Sequence, residues 1–353
     1  MTELELQSEY VMDFFCRRAD GLGFREIKNN AVSPDLFIPA NLYEFLKENS
    51  RKAWNNLLKK SEYNGDEQKL LRAIMDMIRE KIEASANVAI FLNKNRTITF
   101  EGETLQLIYV SGSELRGDED FNKNIFAAVE EMSYSFHHDA KKIFAFRPDL
   151  SFFVNGIFLG YAELKSNFTN QTAKTNGRNK IITDYLEAVW EYTKIANGND
   201  VSQTLRRRML RPFEKSIHLV TTDIYILRDP GQFFDEAKRG FQDNTISISS
   251  FRPVVEKVFK PLPIKQVEAT DPRVRFEEAM RSLYSKKMIE KEILYYNFMA
   301  YTYKTVTSVV NGHKVQKKEY KDKTGRLICP RPKQKFGCDR IMERVQEFLD
   351  HEN

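Results

Sequence analysis

Residues 147–165 read RPDLSFFVNGIFLGYAELK, and this stretch decides the fold. Asn155-Gly156 stands between two apolar, β-rich runs, among the strongest hairpin signals a short sequence carries. The first strand therefore opens at Asp149, directly after Pro148, and the second closes with Glu163, Leu164 and Lys165. Side chains two apart on a strand share a face, so Glu163 and Lys165 are neighbours. Two acids and a lysine at the exposed end of one hairpin suit metal-assisted phosphodiester cleavage. Carboxylate oxygens hold a hard cation, and the cation activates water and offsets phosphate charge. A lysine orients the water or stabilises the developing charge. The plain alternative is a solvated strand end, where charged residues commonly sit.

The turn register decides whether the acids meet. A strict two-residue loop sets Asp149 opposite Ala162 and leaves Glu163 on the other face, since one residue of slip reverses every facing. A three-residue loop, Val154-Asn155-Gly156, sets Asp149 opposite Tyr161, and Glu163 becomes a diagonal same-face neighbour roughly 7–8 Å away. The expectation is this second arrangement, a bulged turn with Gly156 left-handed. Acids on opposite faces would remove the metal site.

The chain has 353 residues, 41% hydrophobic and 12% aromatic, enough for one large or two ordinary folded domains and unlike a disordered polymer. A net charge of +5 is compatible with a polyanionic partner. Cys16, Cys329 and Cys338 have no metal-type spacing, which points to reduced thiols. The five histidines form no zinc motif, and the adjacent His137-His138 face opposite ways on a strand. No apolar run reaches membrane length, and the acidic N-terminus is unlike a signal peptide. A soluble, cytoplasmic protein with no membrane partner is expected.

Along the chain, residues 3–18 read as an amphipathic helix with Val11, Phe14 and Phe15 on its apolar stripe, stopped by Gly21 and Gly23. Helices are expected over 41–58 and 67–82, a hairpin over 87–100 around Lys94-Asn95-Arg96, and strands over 105–110 and 125–136. Residues 111–124 and 166–179 read as loops, 180–196 as a helix, and 216–227 as a strand or strand pair. Helices are expected again over 275–285, 287–303 and 340–351, with a charged segment over 313–322. These elements make an α/β domain, a mixed central sheet flanked by helices.

Basic residues cluster in two places. Lys174, Arg178 and Lys180 flank the loop after the acid hairpin, and Arg206, Arg207, Arg208 and Arg211 form a dense group. Phosphate contact with DNA is the functional reading of both, a solvated face the plain one.

The run RPDLSFFVNGIFLGYAELKSN resembles the nuclease motif of the R (motor) subunit of type I restriction enzymes, a PD-(D/E)xK endonuclease site. The N-terminal acidic helix, IPANLYEFL, LQLIYV and IFAAVEE follow in that family's order. The resemblance implies a restriction-endonuclease-like core over 1–260, a linker and helical segment over 261–327, and the start of a truncated helicase motor over 328–353, with a helical C-terminal extension. It implies an Mg2+-dependent (Mn2+ as substitute) endonuclease acting on double-stranded DNA, in a complex with methyltransferase and specificity subunits. Asp149 and Glu163 would be metal ligands and Lys165 the catalytic lysine. An acid on the first helix would join them, with Glu9 the candidate and Glu5 and Asp13 its rivals. The family's Gln-x-x-x-Tyr is departed from, because Tyr185 is in place while Ile181 holds the glutamine position; Asn179 or Gln171 could supply the amide. Residues 331–349 resemble the start of the motor, where Gln334 would contact the adenine of ATP. No Gly-rich phosphate loop ending in Lys-Ser/Thr occurs in the chain, so ATP hydrolysis is expected only of a full-length protein. The alternatives are a non-catalytic DNA-docking module of the same assembly and a stand-alone repair-type nuclease.

Overall fold

Val11, Phe14 and Phe15 recur at helical spacing, and in the computed structural model all three are fully buried. The structure describes residues 11–111, 119–138, 141–163, 180, 184, 218–221, 225–227, 246–247, 277, 281, 284–310, 313–320, 326–328 and 332–351. The N-terminal segment winds as a π-helix over Asp13–Arg17 and ends where Leu22 N–H returns to Phe14 C=O at 3.0 Å and Phe24 N–H to Phe15 C=O at 2.9 Å. Gly21 closes it, because a Cβ there would lie 2.2 Å from the Phe14 carbonyl oxygen.

Cys16 on this segment is half-buried. Burial first, then the charge of Glu26, pushes its thiol up to about 12, with Arg17 acting in the opposite sense. A thiol so raised stays protonated and unreactive at mildly alkaline pH. Iodoacetamide at about pH 8, near the ordinary thiol range, should therefore label exposed Cys338 and spare Cys16 until the chain is unfolded. Peptide mapping that finds Cys16 modified as fast as Cys338 in the native protein would contradict this.

After strand β1 (Arg25–Ile27), helix α1 (Pro39–Asn49) begins with a proline, pre-set for a first helical turn. The single helix expected over 41–58 is two: α2 (Arg51–Leu58) follows a break at Ser50, φ −138° and ψ 34°. The Ser50 hydroxyl accepts the Gln106 N–H at 2.7 Å, a bond to a residue far along the chain that local pattern does not announce. Helix α3 (Glu67–Ala84) is capped by Asp66, whose carboxylate accepts the Gln68 and Lys69 N–H groups at 3.0 Å. It buries Leu70, Ile74, Ile78 and Ile82.

The hairpin expected over 87–100 is instead helix α4 (Val88–Lys94), capped by Asn87, followed by strand β2 (Thr97–Phe100). Val88 to Leu92 are all buried, so no polar face marked the period. The hairpin here is β2 with β3 (Glu103–Gln106), turned at Glu101-Gly102 with φ 46° and 86°. Strand pairing stops at Gln106, short of the expected Val110; Leu107 and Ile108 N–H groups both return to the Arg96 carbonyl. The strand expected over 125–136 is two, β4 (Phe126–Glu130) and β5 (Tyr134–His138), parted by left-handed Glu131 at φ 47°. Strand β5 pairs with β6 (Lys141–Phe146).

Strands β7 (Leu150–Val154), β8 (Ile157–Glu163), β9 (His218–Thr221), β10 (Tyr225–Leu227) and β11 (Ile246–Ser247) complete a seven-stranded sheet in the order β1-β4-β7-β8-β9-β10-β11. Pairs β1–β4 and β8–β9 are parallel and the others antiparallel. Within the stretch 216–227, the described residues His218–Thr221 and Tyr225–Leu227 are thus a strand pair.

Helix α5 (Lys286–Leu294) ends well before Tyr303, where the helix over 287–303 was expected to run. Its end is held by Asn297, which donates to the Glu292 carbonyl at 2.8 Å and accepts from Asn87 Nδ2 at 2.7 Å, joining α5 to the start of α4. Tyr284 lies with its ring centroid 4.2 Å from Phe152, and Phe15 stacks on Phe152 at 4.9 Å. Residues 284–297, within the stretch read as linker and helical segment, thus share one core with the N-terminal segment and strand β7. Beyond α5, β12 (Phe298–Ala300) pairs with β15 (Arg326–Ile328), and β13 (Tyr303–Val310) with β14 (His313–Tyr320). Helix α6 (Pro332–His351) is longer than the expected 340–351 and is tied to α5 by Lys291 and Asp339 at 2.6 Å. No helix among the described residues is long and apolar enough to cross a membrane.

Candidate active site

The turn of the acid hairpin has two residues, not three. Asn155 and Gly156 both have positive φ, 48° and 78°, the signature of a type I′ turn. Val154 pairs with Ile157 and Phe153 with Phe158. Then the register shifts: Phe152 pairs with Gly160, Ser151 with Tyr161 and Leu150 with Ala162. Leu159 is the extra residue of a β-bulge on β8. The expected Asp149–Tyr161 pairing is therefore absent, although Gly156 is left-handed as anticipated. Continued one step, the ladder sets Asp149 directly opposite Glu163, where Cβ atoms of paired residues stand roughly 4.5–5.5 Å apart. The bulge achieves what the three-residue loop was expected to achieve, since both acids share a face.

The turn itself is locked. Asn155 is fully buried; its Nδ2 donates to the Leu107 carbonyl and to Asn124 Oδ1, each at 2.8 Å, and its Oδ1 accepts the Ile125 N–H at 2.8 Å. Asn124 in turn holds both the N–H and the C=O of Tyr109. Strand β7 enters the site through the Asp149 carbonyl, which accepts the Glu131 N–H at 2.9 Å.

Asp149 is half-buried, but Glu163 is fully buried rather than at an exposed strand end. An interior carboxylate needs a counter-charge, and Lys180 supplies it, its Nζ donating to Glu163 Oε1. The Lys180 side chain is 30% exposed. Thr221 stands beside Glu163 on β9. Solvent-facing Arg147 and Glu131, 2.8 Å apart, flank the entry to β7. On the same face as the acids, Tyr161 packs edge-on against Phe146 at 4.7 Å.

Of the residues singled out from sequence, the structure thus brings Asp149, Glu163 and Lys180 together. Lys180 was expected to meet DNA phosphate; its bond to Glu163 was missed, and its place at the start of the helix expected over 180–196 was the available signal. Asp13 opens the π-helical segment, and Gln334 lies on α6. Glu5, Glu9, Lys165, Gln171, Lys174, Arg178, Asn179, Ile181, Tyr185, Arg206, Arg207, Arg208 and Arg211 lie outside the described residues. Among the described residues no group of three or more acidic, histidine or cysteine side chains gathers to hold a metal. The donor set is therefore two facing carboxylates, one already bound to a cationic ammonium. Oxygen donors of this kind fit a hard divalent ion completed by water, such as Mg2+.

A mixed sheet flanked by helices, with an acid hairpin near its centre, defines a restriction-endonuclease-like fold. The family description "Type I restriction enzyme R protein N terminus" matches residues 2–206, more than half of the chain, and the chain belongs to that family. No curated protein and no solved structure matches it. Membership gives the chain a nuclease context within a DNA-acting restriction complex.

Proposed function

We propose that the chain is the endonuclease portion of a type I restriction enzyme, cleaving double-stranded DNA with Mg2+. The observation that carries this reading is the bulged register that turns Asp149 and Glu163 to one face. Asp149 and Glu163 would hold the ion, which when bound supplies an activated water and charge neutralisation at the phosphate. Lys180 supplies the counter-charge to Glu163 by bonding its carboxylate. Lys165 is assigned to stabilising the developing charge, with Glu9 and Tyr185 as further site residues. Lys174, Arg178, Arg206, Arg207 and Arg208 are assigned to DNA phosphates. Methyltransferase and specificity subunits are the proposed partners, ATP is used only by a motor in the full-length protein through Gln334, and the setting is the cytoplasm.

A metal that binds only the folded chain stabilises it by RT ln(1 + [L]/Kd), about 2.7 kcal/mol at a hundredfold excess over Kd. Thermal melts should therefore rise with Mn2+ in the wild-type chain and stay flat for Asp149→Asn. The ion pair of buried Glu163 with Lys180 favours a second reading, a structural ion pair in a non-catalytic docking module. A wild-type melt insensitive to Mn2+ would establish that reading instead.

A further inference from the structure

Strands β13 and β14 form an eight-pair ribbon, Tyr303 with Tyr320 through to Val310 with His313. Its residues alternate between two faces. One face carries Tyr303, Thr305 and Thr307 against Lys318, Gln316 and Lys314. Thr305, Thr307, Lys314, Gln316 and Lys318 are all exposed. No acid stands on this face. Glu319, the one acid among the ribbon's described residues, lies on the other face, 3.9 Å from Lys304. The ribbon as a whole sets four lysines, Lys304, Lys314, Lys317 and Lys318, against that single glutamate.

A face of ammonium groups, hydroxyls and an amide matches a polyanion, not an apolar protein groove. Its dimensions point to one polyanion in particular. Lys314 and Lys318 are four residues apart on one strand, so they stand roughly 13 Å apart along the ribbon. The major groove of duplex DNA is about 12 Å wide and admits a two-stranded ribbon. Lying along the groove, the ribbon offers Lys314 and Lys318 to phosphates spaced along its length, while Thr305, Thr307 and Gln316 face base edges.

We propose that this ribbon face binds duplex DNA, making a contact on residues other than the acid hairpin. The proposal rests on the reading that the chain works on DNA, but not on where or whether it cleaves. Because the ribbon is exposed, replacing its lysines leaves the packed core untouched. The test is equilibrium binding of a fluorescent mixed-sequence duplex, at salt between about 50 and 200 mM, by the wild-type chain and by Lys314→Gln/Lys318→Gln. Loss of two phosphate contacts lowers the slope of log K against log salt by about 1.8, with circular dichroism unchanged. A slope equal to that of the wild type overturns the proposal. So does displacement by polyglutamate as effective as by duplex DNA, or the absence of salt-dependent duplex binding by the wild-type chain. A wild-type chain that ignores Mn2+ while the double variant still loses slope would remove the nuclease reading and leave the ribbon in place.

Discussion

Asp149→Asn and Glu163→Gln should each abolish DNA cleavage by the assembled restriction complex, with the fold retained. Both replacements keep volume and remove the negative charge that a divalent ion needs. Losing even an outer partner of a metal ligand lowers activity or affinity about 10–100-fold, so loss of a ligand itself should exceed about a hundredfold. Stability separates the two variants. Asp149 is half-buried, and its amide should cost less than about 1 kcal/mol, as at most surface positions. Glu163 is fully buried with Lys180 on its carboxylate. Removing one partner of a buried pair costs about 3–5 kcal/mol, an upper bound here because Lys180 is partly exposed and can turn to water. Plasmid cleavage by either variant at the wild-type rate would sink the assignment of the acids as metal ligands.

The second large effect is expected at the turn. Gly156 has φ 78°, and a Cβ there would lie 2.5 Å from the Ile38 carbonyl oxygen and 2.8 Å from the Leu42 nitrogen. Both neighbours are backbone at the start of α1, and the Gly156 carbonyl itself accepts the Ile38 N–H at 2.9 Å. Nothing there can yield cheaply. Gly102 is the natural control, with φ 86° but no atom within 4 Å of the same Cβ. Gly102→Ala should cost only left-handed strain, about 1–2 kcal/mol. Gly156→Ala should cost that strain plus a backbone clash of about 1–3 kcal/mol or more. Asn155→Ala should also cost more than Gly102→Ala, because it strands three buried groups worth about 1–3 kcal/mol each. Urea melts of the three variants give the ranking; equal losses for the two glycines would show that the close approach to α1 is not a constraint.

The hairpin was legible because Asn-Gly and two apolar runs act locally. Its bulge was not. Every residue of β8 is buried, so alternation carries no record of which face each side chain takes. The same silence hid α4, a helix whose residues Val88 to Leu92 are all interior. Ser50 was misread for a different reason, since what breaks the helix there is a hydroxyl bond to Gln106, on another element. In the C-terminal part, the β-branched run Thr305, Val306, Thr307 was assigned to no element, although it pairs with the charged run beginning at His313. At the site, Asp149 and Glu163 followed from the hairpin pattern and from the motif resemblance together. The grip of Lys180 on Glu163 depends on the path of the intervening chain, which no spacing rule supplies.

The bulge also gives this short stretch a peculiar response to the loss of a single codon. Without Leu159 the ladder closes up: Phe153–Phe158 is followed at once by the former Phe152–Gly160 pair, and Glu163 still arrives opposite Asp149. Without Ala162, three positions on, the irregularity remains and Glu163 slides opposite Leu150, into the apolar side. Two in-frame deletions of one residue each, almost adjacent in the coding sequence, would thus leave the acid pair intact in one case and divide it in the other. The hairpin carries its own slack for changes of length, located at the bulge and exhausted beyond it.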